Sequence, residues 1–419
     1  MSPDILASAA RTCVLAGALI IGVATPSFAA QEEKRASFEC GEQCEIRLST
    51  HRLLEVRNDQ PDVRLRFGGR FHMDGAAIID DTVPMSNGWR VRRARPEFRA
   101  RFFDVLKLKV DYEFAPDRQG WRNVWGRYAP TDWIWLKGGN FITPFGLEDL
   151  GSSNDMLFME RSLASALAPA FQTGGAVGFR GKLARSSRRH RLTVAAMVGT
   201  APFASGEDDR HKSTHVSIAT RITYAPIAKR RRVVHLGGSL EYRDLEAGSD
   251  YRVRSRPESS IAEAILNTGR LTDVASAFSG AAEAAWIHGP ISMQGEFIST
   301  QLHRRGGAED ARLWGGYAQI GWIVTGEHRR YSRGAATIRG PIPDRILGAL
   351  ELGVRVSHLD LIDRDIAGGR ATDFTFGVNW YLRRNLRLMF NYVFVDALVR
   401  GTLEPDRPHI FQGRFAVFF

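Results

Sequence analysis

The sequence predicts an all-β fold, a transmembrane antiparallel β-barrel of about sixteen strands. Three observations predict it. In the C-terminal stretch His409–Phe419, Phe411, Phe415, Val417 and Phe419 fall on one side of a two-residue period while Gln412 and Arg414 fall on the other. One face of such a strand meets lipid and the other a wet interior. The same alternation recurs from Val63 onward in segments of about ten residues, the length a tilted membrane strand needs. No segment after the N-terminal region approaches the roughly 18 uninterrupted apolar residues of a membrane helix, so a membrane-spanning chain of this kind must be a barrel.

At the N-terminus Arg11 precedes a short apolar run, Val14 to Val23, followed by Pro26-Ser27-Phe28-Ala29-Ala30. This predicts a signal peptide over residues 1–29 cleaved after Ala29. Cys13 lies inside the apolar run rather than after it, which argues against a lipoprotein. Residues 30–62 form a periplasmic N-terminal segment with eight acids against five bases. Cys40 and Cys44 in Cys-Gly-Glu-Gln-Cys are expected to form a local disulfide in that oxidising compartment. Zinc is not expected, since His51 is the one further ligand nearby. No cofactor is expected.

The barrel domain is assigned to 63–419. Its clearest strand is Leu106–Phe114, with Leu106, Leu108, Val110, Tyr112 and Phe114 on one face and Lys107, Lys109, Asp111 and Glu113 on the other. Short turns are predicted near Phe103-Asp104, Pro130-Thr131-Asp132, His288-Gly289-Pro290 and Arg383-Arg384-Asn385. Long polar loops are predicted near 74–87, 143–173, 199–213, 244–270, 303–311, 359–372 and 395–408. Short and long connections alternate, as they do when strands zigzag between a periplasmic and an outer face. A soluble β-sandwich is disfavoured by aromatics at strand ends (Tyr112, Phe114, Trp286, Trp322, Trp380, Tyr392), which read as girdles at the lipid interfaces.

The formal charge is +11, and of 57 basic residues only seven are Lys. Contact with acidic lipid and genome composition both favour arginine, but so does an anion path, because the guanidinium fork matches phosphate and carboxylate. The second strand concentrates this charge. Arg93, Arg95, Glu97, Arg99 and Arg101 point to the lumen when Ala94, Pro96, Phe98, Ala100 and Phe102 face lipid. Arg64, Arg66 and Arg70 sit beside them on the preceding strand, and Lys107 and Lys109 on the next. Either Glu97, Asp111 and Glu113 neutralise this ladder or it waits for a mobile anion. A nucleic-acid partner is excluded, since the exported chain has no basic helix and no stacking motif. An enzyme is disfavoured because His235, Glu241 and His288 read individually as lumen or turn residues, with no compact catalytic cluster.

The 143–173 loop supplies Pro144-Phe145-Gly146-Leu147-Glu148, Ser152-Ser153 and Phe158-Met159-Glu160-Arg161-Ser162, giving a bend, the hydroxyl donors Ser152 and Ser153, and an ion-pairing patch at Glu160 and Arg161. It either folds inward or stays on the surface. Preceded by Gly139-Asn140-Phe141-Ile142-Thr143, this stretch resembles the signature of the phosphate-selective porin O and P family. So do Arg92-Arg93-Ala94-Arg95, Thr325-Gly326-Glu327 with Tyr331, Gly348-Ala349-Leu350-Glu351-Leu352 and Arg355-Val356-Ser357. The resemblance implies a trimeric outer-membrane porin with an inward third loop and an arginine-lined, anion-selective channel passing inorganic phosphate or other small anions. Arg92, Arg93 and Arg95 match the family's constriction arginines, and 325–346 becomes a structured connection rather than the tight turn that alternation predicts. Phe419 becomes the signal read by the barrel-assembly machinery, and outer-membrane lipid the surrounding partner. One departure stands out: residues 143–173 contain no Lys and only Arg161 as a base. Organic anions such as dicarboxylates therefore compete with phosphate as the expected permeant. Two other classes remain open on the residues alone, a barrel enzyme at the outer rim and a non-conducting envelope scaffold that uses 30–62.

Overall fold

In the computed structural model the described residues are 35–41, 44–49, 53–116, 119–181, 191–202 and 215–419. The expected leader, Leu183 and most of the 199–213 loop lie outside them. Alternating residues build strands because successive side chains leave a pleated backbone on opposite faces. Three N-terminal strands, β1 (Arg35–Gly41), β2 (Cys44–Ser49) and β3 (Leu53–Asn58), form an antiparallel meander. The barrel wall is β4 (Val63–Ile79), β5 (Gly88–Phe102), β6 (Leu106–Glu113), β7 (Gly120–Tyr128), β8 (Ile134–Ile142), β9 (Phe171–Gly181), β10 (Arg191–Thr200), β11 (His215–Ala228) and β12 (Arg232–Leu245). Two short strands, β13 (Arg254–Ser255) and β14 (Leu266–Asn267), pair within the next connection. The wall resumes with β15 (Val274–His288), β16 (Ile291–Arg304) and β17 (Ala311–Ile323). A second small hairpin, β18 (Arg330–Ser332) and β19 (Thr337–Arg339), precedes β20 (Ala349–Asp363), β21 (Ile366–Arg383) and β22 (Leu386–Leu398). After β23 (Pro405–Asp406) comes β24 (His409–Phe418), which pairs antiparallel with β4 from His409↔Ile79 to Phe418↔Arg70. That pairing closes a sixteen-stranded barrel.

Apolar positions on the outer face stay exposed, the pattern of a barrel wall suited to a bilayer: Val216, Ile218 and Ile222 are each more than half exposed, while their inward neighbours Ser217, Ala219 and Arg221 are buried. The C-terminal strand behaves likewise, with Phe411 and Phe415 outward and Gln412 and Arg414 buried inside. The expected short turns are present, and Phe103 and Asp104 reach positive φ to make theirs. They share one end of the barrel with a further turn at 229–231, and that end is periplasmic by the usual asymmetry of such barrels.

Two expectations need correction. The 359–372 stretch is not a long loop: β20 and β21 run through it and are joined by Arg364 and Asp365 alone, Arg364 at positive φ. The alternation was hidden because the inward residues Leu359, Leu361 and Ile366 are apolar too, packed in a core inside the outer half of the barrel. Likewise the first loop spans only 80–87, because β4 continues to Ile79. Strand β3 pairs with Val63–Phe67 of β4 along the edge that β24 occupies from Arg70 onward. The two partners abut at Gly68-Gly69, where Phe419 N donates to Gly69 O at 2.9 Å and a Cβ on Gly68 would lie 2.7 Å from Phe419 O.

Candidate permeation path

Strand β5 carries a β-bulge. Its register with β4 slips between His72↔Arg93 and Met73↔Val91, leaving Arg92 as the extra residue. A bulge re-aims a side chain: Arg92 and Arg93, adjacent in sequence, are both buried inside the barrel while Val91 and Trp89 stay outside. Arg92 grips Glu160 of the third loop through two bonds of 2.7 Å. Glu160 also accepts from Arg414 Nη2 at 2.6 Å, and Arg414 holds both oxygens of Asp74 at 2.6 and 2.7 Å. Asp74 in turn accepts from Ser260 in the 246–273 loop. Burial by itself would raise the Glu160 carboxyl, but Arg92 and Arg414 hold it well below the usual carboxylate range. Arg93 Nη1 lies 3.4 Å from His72 Nδ1.

The rest of the ladder is neutralised where acids reach it. Arg95 donates to Glu113 at 3.0 and 3.1 Å, Arg70 to Ser153 Oγ at 3.0 Å, and Arg99 lies 2.5 Å from Glu97. Lys109 bridges Glu97 and Asp111 at 2.9 and 3.0 Å. Arg101 pairs with Asp104 and lies 3.7 Å from Asp62, which is 3.5 Å from Arg64. Arg66 stands across from Arg99. In the loop, Ser152 Oγ accepts from the Asn154 backbone at 3.3 Å, and Arg161 is spent on Asp149 and on the carbonyls of Asp149 and Gly151. Cys44 is disulfide-bonded, while the side chain of Cys40 lies outside the described residues.

Cross-strand register brings out a feature that no single strand reveals. Arg57, Arg64, Arg101, Lys107, Arg127 and Lys137 sit directly opposite one another across six neighbouring strands, β3 to β8. Like charges placed directly opposite are destabilising. Among the described residues Lys107, Arg127 and Lys137 have no carboxylate within ion-pairing distance. Arg127 instead lies 5.0 Å from the Trp135 ring, and Lys137 Nζ lies 4.5 Å from Trp125 and 3.8 Å from Phe141. Sequence reasoning missed Arg127 and Lys137 because Trp125, Trp135 and Phe141 on the same inward face imitate a lipid-facing pattern. Only the pairing partners carry the signal.

The wall from β15 to β24 differs. There the third loop, 143–170, folds inward: Phe145, Leu147, Phe158, Met159 and Leu163 are fully buried. Backbone N–H groups of Leu147 and Glu148 donate to Glu296, and Gly146 N donates to Ser239 Oγ at 3.0 Å. Arg355 binds Glu258 and lies 3.2 Å from Glu148, Arg329 grips Glu351 at 2.6 and 2.8 Å, and Asn379 and Arg387 donate to Leu157 O. His235 and Glu241 are lumen residues, as read from sequence. His235 joins Glu283 to Tyr331, and Glu241 accepts from Gln172 and Arg243. His288 ends β15 at its turn.

The family model described as phosphate-selective porin O and P matches residues 65–419. The chain belongs to that family. Porin O of Pseudomonas aeruginosa is 26% identical to this porin over 387 residues, 83% of this chain and 86% of that protein. An uncharacterised protein of Caulobacter vibrioides is 28% identical over 278 residues, 64% and 55% of the two chains. Among solved structures, the anion-selective porin from Comamonas acidovorans superposes with a TM-score of 0.51 at 11% identity, covering 85% of this chain and 100% of that one. The trimer form of OmpT of Vibrio cholerae gives 0.50 at 12% identity, over 85% and 99%. This porin is an outer-membrane channel and not an enzyme.

Proposed function

We propose that this porin is a passive, anion-preferring diffusion channel whose path follows the inner face of β4–β8. The observation that carries the proposal is the six-cation rung from Arg57 to Lys137, whose last three members have neighbours of like charge instead of acids, with aromatic faces against Arg127 and Lys137. Such an arrangement raises local anion concentration. Arg99, 47% exposed and shared with the over-subscribed Glu97, and Arg93 beside the bulge extend it along the strand. Each cation replaces part of an anion's hydration with charge-assisted hydrogen bonds, and their spread along the path keeps any one site from trapping it. Inorganic phosphate and small organic anions are the permeants this lining favours, polyphosphate included. The phosphate selectivity in the family's description and the anion selectivity of the Comamonas porin support the reading.

The same proposal includes a homotrimer, supported by the OmpT trimer form and by the small residues Gly280, Ala282 and Ala284 on the outer face of β15. It also includes a leader removed after Ala29, a Cys40–Cys44 disulfide in a periplasmic 30–62 segment, and recognition of Phe419 by the barrel-assembly machinery. Single-channel recording in a planar bilayer under a salt gradient tests the central claim. The reversal potential is expected on the anion side, with phosphate reducing the chloride current; a cation-selective or non-conducting trimer would refute it.

A further inference from the structure

The connection 324–348 is long for the periplasmic end and divides its residues between two environments. Its hairpin half enters the barrel, where Tyr331 meets His235 and the carbonyls of Ala335 and Ala336 accept from Arg221. Its second half turns outward. Ile346 and Leu347 are 58% and 74% exposed, and Leu347 O accepts from Trp380 Nε1 at 2.7 Å. Trp380 and Trp322 are themselves on the lipid face, close to the periplasmic ends of their strands, where interfacial tryptophans sit.

Arginines gather around this outward tip. Arg231, in the neighbouring 229–231 turn, donates to Gly326 O at 3.0 Å. Arg345 Nη2 lies 4.0 Å from the point a Cβ on Gly326 would occupy, so two guanidinium groups converge over one bare backbone position held at φ +98°. Arg383 donates to Ile346 O at 3.0 Å and to Leu382 O at 2.7 Å. All three side chains are exposed, and the hydrogen bonds of Arg231 and Arg383 go to carbonyls. Among the described residues no carboxylate stands within ion-pairing distance of Arg231, Arg345 or Arg383, although Asp344 adjoins Arg345 in sequence. Nearby His328 is pushed down by its burial and by the cations Arg231, Arg230 and Arg330, with Asp344 opposing.

We propose that Arg231 and Arg345, meeting over Gly326, and Arg383 form a headgroup site for an anionic phospholipid of the periplasmic leaflet, with its acyl chains along Ile346, Leu347, Trp322 and Trp380. Guanidinium forks suit a phosphodiester, and each basic group near an anionic lipid surface adds roughly 1 kcal/mol, about a fivefold gain in occupancy. The aliphatic tip beside the forks gives the site its lipid character, since a purely aqueous anion would leave Leu347 and Ile346 without a partner.

The test places the intact purified porin in nanodiscs of mixed phosphatidylglycerol and phosphatidylcholine and measures the lipid retained on the protein by native mass spectrometry. Phosphatidylglycerol is expected to be enriched over phosphatidylcholine. The R231Q/R345Q variant, checked for folding by heat-modifiable migration, is expected to lose that enrichment by tenfold or more, and R231K/R345K to keep part of it. Should the double variant fail to fold, R383Q alone is expected to lose about fivefold. Equal retention of the two lipids by the unaltered porin, or unchanged enrichment in a folded variant, would overturn the proposal. So would displacement of phosphatidylglycerol by millimolar inorganic phosphate, which would make the patch an aqueous anion site.

Discussion

The two halves of this barrel wall handle charge in opposite ways. From β15 to β24 three arginine–carboxylate clusters tie the wall to the third loop, the 246–273 loop, the 324–348 connection and β4. Arg355 meets Glu258 and Glu148, Arg329 meets Glu351, and Arg414 meets Asp74 and Glu160. From β4 to β8 the bases outnumber the acids, and the surplus is left facing aromatic rings or the lumen. A buried charge must be paired or cost several kcal/mol. A surplus persists only where water or a mobile ion supplies the missing partner. On the proposed path, the difference separates the half that holds the loops from the half that faces the permeant.

Breaking the matched half should have the largest effect. Arg355→Met leaves Glu258 and Glu148 without their cation and is expected to cost about 3–5 kcal/mol, read as a lower temperature for loss of heat-modifiable migration and as larger, noisier single-channel conductance once the third loop is released. Unchanged conductance would mean the loop is held by its apolar residues alone. The same latch gives a pH dependence. Because Glu160 is held below its ordinary value of 4.5, its contribution is complete above that pH and disappears only as pH falls through the depressed folded value. Conductance should stay flat between pH 7 and about 4.5 and rise in stronger acid.

Next in size is the outer face common to both halves. Val110, outward on β6 opposite Phe98 and Val124, should cost about 2–4 kcal/mol when replaced by Arg if it lies near the midplane. A variant as stable as the parent would place Val110 outside the lipid band.

Smaller, and aimed at the comparison itself, is the effect on selectivity. Replacing Lys107, Arg127 and Lys137 with Gln should move the reversal potential further toward cations than replacing Arg93 and Arg95, since Glu113 already neutralises Arg95. Both shifts should shrink as added salt shortens the screening length from about 10 Å at 0.1 M to about 3 Å at 1 M. Equal shifts would mean the ladder and the rung contribute alike. The smallest effect is expected at Arg407, exposed at the outer rim and 2.9 Å from Asp396: Arg407→Ala should change stability by less than about 1 kcal/mol and selectivity not at all.

The fold was legible wherever the two faces of a strand meet different media. Val354 and Val356 against Glu351, Arg355 and Ser357, or Phe415 against Gln412 and Arg414, announce lipid on one side and a polar interior on the other. Legibility failed where both faces are apolar, as at Leu359 and Leu361, because an inner core packed by loops erases the contrast that alternation relies on. For the candidate path, the inward arginines of β5 follow from spacing, but the partnership of Arg92 with Glu160 does not, since 68 residues separate them.

The sequence by itself determined the strands, their lipid-facing sides and the excess of arginine, because these depend on a two-residue period and on composition. Tertiary structure alone decided which cations are neutralised. A bulge turned Arg92 inward beside Arg93, and register lined up Arg57, Arg64, Arg101, Lys107, Arg127 and Lys137 across strands whose members lie up to 80 residues apart. Coulombic pairing falls off within a few ångströms in space and carries no fixed spacing along the chain. The charge that is matched and the charge left in surplus are therefore settled only when the barrel closes.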